Sequence, residues 1–152
     1  MNNSLKLDKN DWLILQELNA NSRQSYRQIA RKLGLAISTV AARIEKLEKN
    51  KVIKKFCFQS DYDKLGLELT AVINIRVTKG KSSEISKALA KTKGVCSVYD
   101  VTGASDAMAI VKVRTRNELD LLVKKILSIE FVERTDTQIA LNVVDENLAW
   151  LP

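Results

Sequence analysis

Residues 25–49 read SYRQIARKLGLAISTVAARIEKLEK, and their pattern decides the fold of the first third of the chain. Tyr26, Ile29, Ala30 and Leu33 recur at helical spacing behind Ser25, a good N-cap. Gly34 ends that segment, because glycine takes the left-handed conformation of a helix C-terminus without steric cost. From about Ile37 to Asn50, Val40, Ile44 and Leu47 recur at i, i+4 and i+7, the buried stripe of another helix. Only Gly34, Leu35 and Ala36 lie between the two. Two helices joined by so short a Gly-containing turn form a helix-turn-helix.

Working outward, Asp8 caps a preceding helix that runs to about Asn19, with Asp11 in its first turn and Ile14, Leu15 and Leu18 on its stripe. Each stripe is too small to make a core alone, so the three helices must pack together. On the other side, Val52, Ile53, Phe56 and Phe58 read as a strand flanked by Lys54 and Lys55, either a wing or a link.

After Gly66 the apolar period changes from 3.6 to 2. Leu69, Ala71, Ile73, Ile75 and Val77 alternate with Thr70, Val72, Asn74 and Arg76 in a first strand. A helix capped by Ser82 or Ser83 follows, with Ile85, Ala88 and Leu89 inward. Strands Val95 to Val101 and Ala107 to Val113 make a hairpin across the turn Gly103-Ala104-Ser105-Asp106. Asn117 caps a second helix with Leu119, Leu122, Val123 and Ile126 inward, and Val132 to Val143 reads as a last strand. The expected class is α+β: an N-terminal winged helix-turn-helix domain over 1–60, then a ferredoxin-like βαββαβ domain over 61–152. In the latter an antiparallel sheet carries two helices on one face. Val72, Met108, Ile110 and Ile139 are expected on its bare face, and an exposed apolar face marks an interface, here of a dimer at least. Leu148, Trp150 and Leu151 near the end are expected to dock rather than float.

The charge separates the same two parts. Residues 1–60 hold twelve of the 25 Lys and Arg and five of the 18 Asp and Glu, which is the whole net charge of +7. The remaining residues hold 13 of each sign. An unbalanced basic head suits a polyanion such as double-stranded DNA. On the recognition helix, Ser38, Thr39, Ala42, Arg43 and Lys46 stand opposite the buried stripe. Arg43 is the expected guanine reader, bidentate to O6 and N7; Ser38 and Thr39 suit bases or phosphates, and Ala42 a thymine methyl. Lys46 adds general attraction, while Ser25, Arg27, Lys54 and Lys55 suit phosphates.

Other chemistries find little support. The chain has no histidine and two distant cysteines, Cys57 and Cys96, so no zinc site is expected. Both cysteines read as small buried residues in strands. Without a triad, a Gly-rich phosphate loop or paired carboxylates, neither catalysis nor a cofactor is expected. No apolar run is long enough for a membrane span, and Met1 to Asn10 lacks the apolar core of a signal peptide, so the cytoplasm is the expected location.

These pieces, in order, resemble the leucine-responsive regulator/AsnC (feast-famine) family of prokaryotic transcription regulators. The matching residues are Leu7-Asp8, Asp11, Ile14-Leu15, Arg23, Ser25, Ile29-Ala30, Leu33-Gly34-Leu35, Ser38-Thr39-Val40, Arg43-Ile44 and Leu47-Glu48. Val52-Ile53, Leu65-Gly66, Val101-Thr102-Gly103 with Asp106, and Arg134-Thr135 with Thr137 continue the likeness. The resemblance implies dimers that assemble into tetramers or octamers, and an amino-acid effector between dimers near the hairpin turn and last strand. Gly103, Ala104, Ser105, Asp106, Thr135 and Thr137 are then the effector-site candidates, with Asp106 accepting the ammonium and backbone N–H groups near Gly103 holding the carboxylate. From spacing alone, the same residues read as turn and strand positions.

Three departures from the family pattern matter. Ala36 stands where a Ser usually caps the recognition helix, Lys51 replaces a common Gly so that Asn50 is expected to take the left-handed turn, and Ala104 replaces a frequent Asp. The competing functions are an architectural DNA-binding protein of low specificity and a sirohaem-decarboxylase-like enzyme. The latter resembles this two-part architecture but relies on pocket histidine. An RNA-binding sheet is disfavoured because the strands lack an aromatic pair.

Overall fold

The computed structural model describes residues 6–78 and 80–146. It divides into two compact units, the first ending at Gln59 and the second spanning Ser60–Glu146. Leu148, Trp150 and Leu151 lie outside the described residues.

The first unit has three helices: α1 (Lys9–Ala20), α2 (Tyr26–Leu33) and α3 (Ile37–Lys49). Reciprocal side-chain and backbone hydrogen bonds start α1 between Asp8 and Asp11, and start α2 between Ser25 and Gln28. Gly34, at φ 66°, ends α2, and Leu35 N–H reaches back to Ala30 O at 3.0 Å, so the chain can turn at once into α3. Ile14, Leu15, Leu18, Ile29, Ala30, Val40, Ile44 and Leu47 form one core. Burying each large aliphatic side chain contributes about 1.5–3 kcal/mol.

Three local expectations fail here. Residues 52–58 form no strand, because no strand among the described residues of this unit offers a hydrogen-bonding ladder; Phe58 is 88% exposed. The left-handed residue after α3 is Lys51 itself, at φ 56°, while Asn50 keeps φ −87° and turns its side-chain amide onto Lys46 O. Cys57 is exposed and in no strand; Cys96 is also exposed, in a strand at a register irregularity.

The second unit runs β1 (Leu69–Val77), α4 (Ser82–Leu89), β2 (Val95–Asp100), β3 (Ala107–Val113), α5 (Arg116–Leu127) and β4 (Val132–Ile139). The sheet order is β2-β3-β1-β4, with every neighbouring pair antiparallel. Ala71, Ile73, Ile75, Ala107, Ala109 and Val111 pack with Ile85 and Leu89 of α4 and Leu119, Leu122 and Ile126 of α5. The caps differ from expectation. Lys81 precedes α4 without a side-chain capping bond, and Thr115, not Asn117, caps α5 through Glu118 N–H. The last strand ends at Ile139 rather than Val143, and Leu141 and Val144 are fully or nearly fully exposed.

Register decides which side chains share a face. Ile73 lies opposite Ala109 and Thr137, and Ile75 opposite Ala107 and Thr135, all on the helix-covered face. The open face carries Val72 beside Ile110 and Gln138, then Asn74 beside Met108 and Asp136, with Tyr99 next to Met108. Ile139 pairs with Ala71 and so belongs to the helix-covered face, contrary to expectation.

Candidate DNA interface and ligand groove

The exposed side of α3 is a groove of about 500 Å³ lined by Asp8, Ser38, Thr39, Ala42, Arg43 and Lys46. The helix period therefore brings together the five α3 residues picked from sequence. Ser25 is occupied as the cap of α2, where its hydroxyl bonds Gln28, although the residue remains exposed. Arg27, Lys46, Lys54 and Lys55 are exposed, and among the described residues their side chains make no ion pair. Ala36 supplies no side-chain cap to α3, and no Ser38 bond replaces it.

Arg43, the expected guanine reader, is engaged by the start of α1 in this structure. One guanidinium nitrogen, Nη1, donates to Asp8 Oδ1 at 2.9 Å, Asp8 Oδ2 at 2.7 Å and Asp11 Oδ1 at 2.7 Å. Its Nε is buried without a partner. The side chain of Asp11 is 1% exposed and that of Arg43 25%. The Arg43 guanidinium, followed by the Asp11 backbone N–H, holds the Asp8 carboxyl below its usual pKa, and the two carboxylates raise that of Arg43. Magnitudes weigh against the guanine contact. A bidentate base contact is worth about 1–3 kcal/mol of discrimination. Breaking a buried ion pair by withdrawing one partner costs about 3–5 kcal/mol. Swinging Arg43 out to a base would strand Asp11.

In the second unit a groove of about 710 Å³ opens beside the hairpin turn, lined by Asn74, Val101, Thr102, Ala104, Ser105, Met108, Arg134, Thr135, Asp136 and Gln138. Ala104, Ser105 and Thr135 were expected there; Gly103, Asp106 and Thr137 do not line it. Asp106 ties the hairpin to β1: Oδ2 accepts from Val77 N–H at 2.9 Å, and its own N–H donates to Ile75 O at 3.0 Å. The groove's charged pair, Arg134 and Asp136, escaped the sequence reading. The pairing of Asn74 with Asp136 puts the even-numbered residues of β4 on the open face, a placement that the sequence of this strand alone does not show.

Two family models match the chain. Residues 7–54 match winged helix-turn-helix DNA-binding domains, and residues 70–150 match the Lrp/AsnC ligand-binding domain. The chain belongs to the Lrp/AsnC family. It is a DNA-binding transcription regulator of that type, with a ligand-binding domain.

An uncharacterised HTH-type transcriptional regulator of Pyrococcus furiosus is 43% identical over 148 residues, covering 97% of this chain and all of the relative. HTH-type transcriptional regulator FL11 of the same organism is 39% identical, covering 92% of this chain and 93% of its own. A Neisseria meningitidis transcriptional regulator, solved as an L-Met complex, shares the fold at TM-score 0.86 and 24% identity, covering 97% of each chain. No helix among the described residues is long and apolar enough to cross a membrane.

Proposed function

We propose that this regulator binds DNA sequence-specifically as a dimer, and that an amino acid bound in the hairpin groove modulates it. The observation that carries the reading is the α3 groove. Ser38, Thr39, Ala42 and Lys46 lie together on the helix that follows a helix-turn-helix turn. Of these, Ser38, Thr39 and Ala42 are small enough for base edges to approach, and Lys46 is an exposed cation. Ser25, Arg27, Lys54 and Lys55 supply phosphate contacts. The open sheet face, with Val72, Met108 and Ile110 only half-buried, supports pairing of two copies and further assembly to a tetramer or octamer. On this reading the chain acts in the cytoplasm and catalyses no reaction.

For the effector, Arg134 and Asp136 offer one group of each sign in one groove, matching a zwitterion: the cation takes the carboxylate and the carboxylate the ammonium. Asp106, Gly103 and Thr137 shape the turn and strand around them. The neighbouring structure solved with L-Met supports an amino acid as the class.

Selection from random duplexes tests the reading. A roughly palindromic motif with half-sites about one helical turn apart, or a multiple of it, is expected. With that duplex, one of the standard amino acids should shift DNA affinity or oligomer size, and Arg134→Ala should abolish the shift. Saturating amino acids that change neither quantity would refute the effector; selection that yields no motif would refute specific recognition.

A further inference from the structure

We propose that Arg43 is the positioning residue of the recognition helix: it sets the rotation of α3 in the DNA groove for the side chains that read bases. The inference rests on the DNA-reading assignment above and concerns how that same surface is held. Arg43 lies at the middle of α3, and its bonds to Asp8 and Asp11 reach the N-terminal turn of α1 and the residue that caps it. Among the described residues, no other α3 side chain makes a hydrogen bond or ion pair to α1 or α2. The α3 N-terminus has no side-chain cap to pin it either.

What else holds α3 is the stripe Val40, Ile44 and Leu47. Apolar burial is non-directional, so it keeps the helix on the core while tolerating small rotations. Three charge-assisted bonds to two carboxylates are directional. The clamp has a second effect. Asp8 lines the same groove as Ser38, Thr39, Ala42 and Lys46, and a free carboxylate there would repel phosphate. Arg43 neutralises it in place. The reciprocal Asp8–Asp11 cap holds both carboxylates at the spacing Arg43 bridges.

The test is a specificity profile of the full chain: the affinity for a selected site and for each of its single-base-pair variants, at fixed salt. Three proteins are compared: the wild type, Arg43→Gln, and Asp8→Asn/Asp11→Asn. The last keeps an amide acceptor at both cap positions and leaves Arg43 intact but released, so a folded variant remains available; circular dichroism checks both. Discrimination against a wrong base pair is roughly 5–150-fold in specific complexes. The proposal expects it to fall several-fold at all contacted positions together, with the same flattened profile in both variants. A loss confined to one base pair in Arg43→Gln, with full discrimination there in Asp8→Asn/Asp11→Asn, would overturn it and make Arg43 a base reader. Unchanged profiles in both folded variants would also overturn it, leaving the clamp a matter of stability. A wild type that discriminates nowhere would overturn the DNA reading itself and the proposal with it.

Discussion

The two candidate sites use charged side chains in opposite ways. In the helical unit three acids are occupied: Asp8 and Asp11 hold Arg43, and Glu17 holds Lys32 and Gln24, while Arg27, Lys46, Lys54 and Lys55 stand free of ion pairs among the described residues. In the α/β unit Asp106 locks the hairpin to β1, and the groove keeps Arg134 and Asp136 together. The lesson is that a charge near a site is not thereby available to a ligand. The fold takes some of them for itself, and the one with the strongest partners is the least free.

Stability measurements break or sharpen this contrast, and the largest expected effect is at Arg43. Arg43→Ala strands the buried Asp11 and should destabilise the helical unit by about 3 kcal/mol in denaturant unfolding. Arg134→Ala, at an exposed groove position, should stay within about 0.5 kcal/mol of wild type. Equal effects would erase the distinction between occupied and free charges. Asp106→Ala should be intermediate, about 1–2 kcal/mol, from loss of the bond to Val77 N–H. Ala36→Ser should stabilise by about 1 kcal/mol if its hydroxyl caps α3, read as a raised midpoint with unchanged denaturant dependence.

Acid should expose the same asymmetry. The carboxyls of Asp8 and Glu17 are lowered in the folded state, chiefly by hydrogen bonds from Arg43 and Lys32 respectively. A lowered folded pKa gives stability that is fully present above the unfolded value, near 3.8 for Asp8 and 4.5 for Glu17, and lost as pH falls through the folded one. Unfolding of the helical unit should thus be insensitive to these groups around neutral pH and eased below about pH 4. Asp8→Asn/Glu17→Gln should flatten that limb; an unchanged limb would mean other acids govern it. The smallest effect belongs to the free cations. Lys54→Ala and Lys55→Ala should each weaken binding about equally for all sequences and reduce the salt slope by about one.

The fold was legible where periodicity carried it. The i, i+4, i+7 stripe of Val40, Ile44 and Leu47 and the alternation from Leu69 to Val77 gave element types, order and core correctly. The 52–58 stretch alternates too, but a strand exists only with a partner, and partnership is not a local property. In β4 the groove is lined by Thr135 together with Arg134 and Asp136, and the sequence VERTDTQI has no apolar alternation to show which residues share a face. Arg43 faces the side its helical position dictates. What captured it lies 32 and 35 residues earlier in the chain, beyond any local pattern.

The central claim is that this head reads sequence rather than charge alone. The most direct measurement is the affinity of the full chain for its best selected duplex and for a scrambled duplex of the same composition, at one fixed salt concentration. Specific regulators prefer their site by typically 10³-fold or more, and such a ratio is the result expected here. Equal affinities, both falling steeply with salt, would contradict the claim and leave the basic unit an architectural DNA binder.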